Sequence, residues 1–77
     1  MSRKEREKVT LGQTIRERRQ LLKLSQFELA KKVGITQSQI CKIEADISKP
    51  SYVTLILISK VLRCNINNLT KGEFKNE

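Results

Sequence analysis

An all-α fold is what this sequence predicts: five short helices in one compact domain, with the second and third set at a sharp angle by a tight turn. Three observations carry that expectation. Thr10 with Gln13, Ser25 with Glu28 and Thr36 with Gln39 fit the pattern in which each side chain satisfies a backbone N–H at the other's end of a helix's first turn. Strand signals are confined to one β-branched apolar run, Val53 to Ile58, and that run continues to Leu62 without Gly or Pro, a length that favours a helix. Leu, Ile, Val and Phe supply 23 of the 77 residues, enough for one small domain that buries about 60% of its extended-chain surface.

The first helix, 11–23, opens on Thr10 with Gln13. Ser25 with Glu28 opens the second, 26–33, where Leu24 before the cap can staple to Leu29. Gly34 ends it, because glycine accepts the left-handed backbone of a tight turn. Only two residues later Thr36 with Gln39 starts the third helix, 37–45, with Ile35 placed to staple to Ile40. Pro50 stops what precedes it, Ser51 caps the fourth helix, 52–63, and Asn65 caps a short fifth, 66–70. Residues 1–9 mix Arg3, Lys4, Arg6 and Lys8 with Glu5 and Glu7 and lack an apolar stripe, which reads as a flexible basic arm. The domain itself is expected at 10–71, with a tail at 72–77.

Sixteen Lys and Arg against eight Asp and Glu leave a net charge of +8, which points to a polyanionic partner. Whole classes of chemistry are disfavoured. There is no His to act as base or metal ligand, and Cys41 and Cys64 are too far apart for a CxxC site, so neither a metal, a cofactor nor a catalytic residue is expected. The three glycines fit no phosphate-binding loop, and no small-molecule ligand is indicated. Reduced thiols and the lack of a signal-like apolar stretch suggest a cytoplasmic protein, and no window is apolar enough to span a membrane.

The third helix carries the functional hint. At about 100° per residue, Ile40 and Ile43 share one side, with Glu44 and Gln39 at its edges. Gln37, Ser38, Cys41, Lys42 and Ala45 share the other. Amide, hydroxyl and ammonium groups without a carboxylate suit the major groove of DNA, where base edges offer donors and acceptors between phosphates.

Ser25-Gln26, Leu29-Ala30, Gly34-Ile35-Thr36, Ile40, Ile43-Glu44 and Lys49-Pro50-Ser51, followed by Leu55, Ile58-Ser59 and Leu62, resemble the helix-turn-helix domain of lambdoid phage repressors and Cro, the xenobiotic-response-element family. The resemblance covers roughly 10–71 and implies a five-helix repressor-like domain that binds double-stranded operator DNA as a dimer, third helix in the major groove. Gln37 is the leading base reader, suited to adenine N6 and N7, against the plainer reading of a solvated surface amide. Ser38 and Lys42 come next; Lys42 suits either guanine or a phosphate. The resemblance places Gln26 at the DNA backbone, buttressing Gln37, and brings Thr36, Gln39, Lys49, Ser51 and the Tyr52 N–H to phosphates. Thr36 is a cap first, and Lys49 reads equally as a solvated loop lysine. The family usually has Gly where Asp46 stands; Asp tolerates the left-handed turn better than most residues, so the turn should survive, with its charge weakening or reshaping nearby phosphate contacts.

Arg19 shares an arc with Leu11, Ile15 and Leu22, and Glu44 borders the apolar arc of the third helix, so each would be costly to bury alone and the two should pair. The resemblance also makes them an inter-helix ion pair. The fourth helix is apolar nearly all round, which leaves Val53, Ile56, Leu57 and Val61, with Ile66 and Phe74, for a twofold homodimer interface, against the plainer reading that the fifth helix and the tail cover that face. With the resemblance, these features imply a sequence-specific transcriptional regulator of the repressor type, associated with the nucleoid when bound. The rival is an interaction module, an antitoxin or anti-regulator that binds a protein through the apolar face of the fourth helix. Cys41 lies where oxidation would block DNA, though no neighbour is an obvious thiolate stabiliser, and Cys64 reads as a small core residue.

Overall fold

A computed structural model describes residues 9–70. Its helices are α1 (Leu11–Leu21), α2 (Gln26–Val33), α3 (Gln37–Glu44), α4 (Tyr52–Val61) and α5 (Ile66–Thr70), with no strand among the described residues. The expected basic arm, apart from Val9, and the expected tail with Phe74 lie outside the described residues.

All three capping boxes are closed in both directions. Thr10, Ser25 and Thr36 accept the N–H of Gln13, Glu28 and Gln39, whose side chains accept the N–H of Thr10, Ser25 and Thr36 in return. Ser51 accepts from the Thr54 N–H at the head of α4. Asn65 Oδ1 accepts from the Asn67 N–H at 3.3 Å. Gly34 takes the left-handed conformation at φ 93° and turns the chain into α3.

Three helices stop one or two residues earlier than the sequence suggests, and for one reason. Lys23, Asp46 and Arg63 adopt left-handed backbone at φ 59°, 62° and 58°. In each case the next N–H reaches back to a carbonyl five residues earlier: Leu24 to Arg19, Ile47 to Lys42 and Cys64 to Ser59. This closing turn satisfies the last carbonyls of a helix and usually employs glycine. With Lys and Arg in that place nothing in the sequence marks the stops of α1 and α4, whereas the left-handed turn at Asp46 is the one expected there.

Leu11, Ile15, Leu29, Ala30, Val33, Ile40, Ile43, Leu55, Ile58, Leu62 and Leu69 form one core shared by all five helices. Leu24 and Ile35, the expected staples, pack against it half-buried beside Leu29 and Ile40. Cys64 packs against it too, and both cysteines are free thiols. α3 rests on α2 and α1, which leaves its remaining face to solvent.

Candidate nucleic-acid interface

The exposed side of α3 carries Gln37, Ser38, Cys41, Lys42 and Ala45, all solvent-exposed, while Ile40, Ile43 and Glu44 point inward and are buried. A helix of eight residues with one side fully committed to the core leaves a single continuous arc for a ligand. That arc holds one cation, an amide, a hydroxyl and a thiol, and no carboxylate.

What fixes this helix in place is a buried polar knot. Arg19 and Glu44 are only 9% and 7% exposed, and the guanidinium meets the carboxylate through two bonds, Nε to Oε2 at 2.6 Å and Nη2 to Oε1 at 3.0 Å. Arg19 Nη1 also donates to the Leu24 carbonyl at 2.8 Å, which ties in the turn between α1 and α2. Hydrogen bonding to Glu44 raises the Arg19 pKa above its ordinary value, against the opposing effect of burial, and the carboxylate's charge adds to the rise. Gln26, at the first position of α2, donates its amide to Glu44 Oε1 at 3.1 Å. The hydrogen-bond partner of Gln26 among the described residues is therefore Glu44 rather than Gln37, so α1, α2 and α3 meet at one carboxylate.

The flanking hydroxyls serve their own helices. The Thr36 hydroxyl accepts from the Gln39 N–H and donates to Gln39 Oε1, and the Ser51 hydroxyl accepts from the Thr54 N–H and donates to Thr54 Oγ1. Each hydroxyl has one proton to donate, so either would have to exchange a partner to bond a phosphate. Gln39 keeps its NH2 group exposed while its oxygen serves the cap. Lys49 is exposed and, with Gln39, Ser48 and Ser51, lines a pocket of about 260 Å³ between the starts of α3 and α4. Tyr52 is 67% exposed and occupies the first position of α4, where a backbone N–H has no acceptor within the helix.

On α4, Val53 and Leu57 are exposed at 67% and 40%, and Ile56 is half-buried. Val61 is separated from them in environment: it packs against the core and lines a groove with Leu22, Leu24, Lys32 and Arg63. The four residues expected at a dimer interface thus divide into two that are open, one at the margin and one partly used by the fold.

Sequence reasoning missed two polar contacts. Arg18 donates from Nε to the Leu62 carbonyl at 3.2 Å and from Nη2 to the Arg63 carbonyl at 3.0 Å, closing the end of α4. Asp46 aims its carboxylate at α1, where Oδ1 accepts from the Gly12 N–H at 3.0 Å. Gly12 has a steric reason to lack a side chain, since a Cβ there would lie 2.5 Å from the Glu44 carbonyl and 2.6 Å from that of Ile43. A glycine inside a helix, with no turn to explain it, was the available signal for this close approach.

Comparison with known proteins agrees with this geometry. A helix-turn-helix family profile matches residues 15–69. Repressor protein C2 of Salmonella phage P22 is 36% identical over 63 residues, 82% of this chain and 29% of the repressor. The transcriptional regulator DicA of Escherichia coli is 38% identical over 61 residues, 79% of this chain and 45% of DicA. This chain therefore spans less than half the length of either. In three dimensions it resembles the P22 c2 repressor crystallised with a synthetic operator, with a TM-score of 0.79, 36% identity, and coverage of 83% of this chain and 97% of that one. With the profile spanning most of the chain and the three-dimensional likeness equally broad, the chain belongs to the helix-turn-helix family.

Proposed function

We propose that this protein is a sequence-specific, double-stranded DNA-binding regulator of transcription, a repressor that binds a pseudo-palindromic operator as a homodimer. The observation that carries the reading is the exposed, carboxylate-free arc of α3, held rigid by the Arg19–Glu44–Gln26 knot. A major groove about 12 Å wide admits one helix with its side chains, so α3 can present Gln37, Ser38 and Lys42 to base edges. Gln37 reads an adenine bidentately, Ser38 supports it, and Lys42 takes a guanine or the adjoining phosphate. Gln26, with one amide proton beyond its bond to Glu44, the Gln39 NH2, Lys49 and the Tyr52 N–H supply phosphate contacts, while Thr36 and Ser51 mainly shape the caps.

Charge brings the partners together. Residues 1–32 hold ten Lys and Arg and four Asp and Glu, a net +6 outside α3, so attraction to DNA is supplied mostly away from the residues that choose the site. The homodimer uses the open face of α4, Val53 and Leu57 with Ile56 at its margin, and would set two α3 helices about 34 Å apart, one turn of DNA. DNA binding is assigned to residues 10–71, in the cytoplasm and on the nucleoid when bound, and the reading invokes no cofactor. That the P22 c2 repressor was crystallised with a synthetic operator supports the same class of partner here.

Selection of bound duplexes from a random pool, followed by salt titration, tests this. Recovery of palindromic half-sites, with affinity falling steeply as salt rises, is the expected result. Recovery of no motif would refute it and favour the alternative, an antitoxin or anti-regulator whose α4 face binds a protein; the exposure of Val53 and Leu57 is what keeps that alternative. Sedimentation tests the dimer: a monomer at tens of micromolar that stays monomeric on DNA would refute it.

A further inference from the structure

The Asp46–Gly12 contact is a second tie between the reading helix and α1. The first, Arg19 to Glu44, lies seven residues further along α1. Seven residues correspond to about 10.5 Å of helix axis and, at 100° each, to nearly two full turns, so Gly12 and Arg19 lie on the same face of α1. α3 is thus held at two points along one line. Ile40 and Ile43 seat α3 in the core, and the two ties, at separate points on α1, trim the angle at which it crosses α1.

Asp46 is suited to this by conformation as well as chemistry. At φ 62° it occupies the position after α3 where left-handed backbone is required, and from there its side chain reaches across to α1. Its carboxylate sits at the positive end of the α1 dipole, and Gly12 lacks the Cβ that would push the carbonyls of Ile43 and Glu44 away. Glycine at position 46 would make the same turn and could not make the tie.

We propose that Asp46 is a positioning residue for DNA recognition, acting through Gly12 to set the tilt of α3 and hence the placement of Gln37 on the base edges. The proposal rests on the reading of α3 as the recognition helix. Gln37 lies seven residues, about 10.5 Å, from Glu44 and Asp46 only two residues beyond it, so a drift of about 1 Å at the Asp46 end swings Gln37 by at least that distance. Binding constellations tolerate about 0.5 Å. Loss of the tie therefore lowers the preference for the correct site and leaves general attraction to DNA in place.

Two substitutions separate the tie from charge. Asp46→Asn and Asp46→Gly both remove the negative charge and both accept left-handed backbone, but only Asn retains an oxygen for the Gly12 N–H. Affinities for the selected operator and for a scrambled duplex are measured for wild type and both variants, with helix content checked by circular dichroism. Asp46→Asn should keep the wild-type ratio of specific to non-specific affinity within about twofold, and Asp46→Gly should lower it at least fivefold with non-specific affinity equal to that of Asp46→Asn. Equal ratios for the two variants, or equal weakening on both duplexes in Asp46→Gly, would overturn the proposal. Residual dipolar couplings of the free chain give a readout independent of DNA. The angle between α1 and α3 should change in Asp46→Gly and hold in Asp46→Asn, and an unchanged angle in both would also overturn it. A wild-type chain that prefers no duplex would instead refute the proposed function.

Discussion

Replacing Arg19 with Ala is the severest single test of how α3 is mounted. The side chains of the pair are 11% and 4% exposed, which separates this contact from surface ion pairs worth about 0–1 kcal/mol. Removing Arg19 leaves the Glu44 carboxylate buried with only the Gln26 amide bonded to it among the described residues, at 3.1 Å, and strips the Leu24 carbonyl of its bond from Nη1. Breaking a buried pair by deleting one partner costs about 3–5 kcal/mol. A chain of this length has a total stability of roughly 4–12 kcal/mol, so the loss is a large share of the whole. At about 4–8 °C per kcal/mol for a domain of this size, Tm should fall by at least about 12 °C. Thermal unfolding followed by circular dichroism reads this directly. A double variant, Arg19→Met with Glu44→Leu, removes both charges and should melt above Arg19→Ala, because the penalty arises from the unpaired charge and not from loss of attraction alone. A Tm within 2 °C of wild type for Arg19→Ala would refute the reasoning, as would a double variant that melts lower than the single.

Three further outcomes follow from other parts of the fold. Gly12→Ala places a Cβ 2.5 Å from the Glu44 carbonyl, and the clash, about 1–3 kcal/mol, should outweigh the gain of about 1 kcal/mol in helix propensity, lowering the urea midpoint. Lys23→Gly relieves a left-handed residue at φ 59° and should raise stability by about 0.5–1 kcal/mol in the same titration, even though it adds a glycine. Leu57→Glu, on the open face of α4, should leave the monomer's Tm nearly unchanged while weakening operator binding more than tenfold and abolishing the dimer in sedimentation.

The parts of this molecule that were legible in sequence are those where one residue type has one structural use. Thr10, Ser25 and Thr36 with Gln13, Glu28 and Gln39 mark helix starts because few other arrangements satisfy those N–H groups. The inward side of α3 follows from the spacing of Ile40 and Ile43, and its solvent arc is what remains. Residues with several possible uses were not legible. Arg18 reads as a solvated cation until the carbonyls of Leu62 and Arg63 arrive beside it from the other end of the chain. Asp46 was expected to turn the chain, and does, but its charge was expected near phosphates; the direction of the carboxylate toward Gly12 depends on how α1 crosses α3. Gln26 was expected beside Gln37 and is bonded to Glu44, because the buried carboxylate still had an oxygen to satisfy after Arg19 had bound it. Val61 was grouped with Val53 by its place on the wheel, yet the C-terminal turn of α4 lies against Leu22 and Leu24.

In the proposed function Gln37, Ser38 and Lys42 on α3 choose the DNA sequence while charge elsewhere supplies attraction. The most direct test is to select duplexes from a random pool with wild type, Gln37→Ala and Lys49→Ala in parallel. Gln37→Ala should lose preference at one base pair of each half-site, and Lys49→Ala should recover the wild-type motif at lower affinity. The same motif, equally sharp at every position, from wild type and from Gln37→Ala would contradict it.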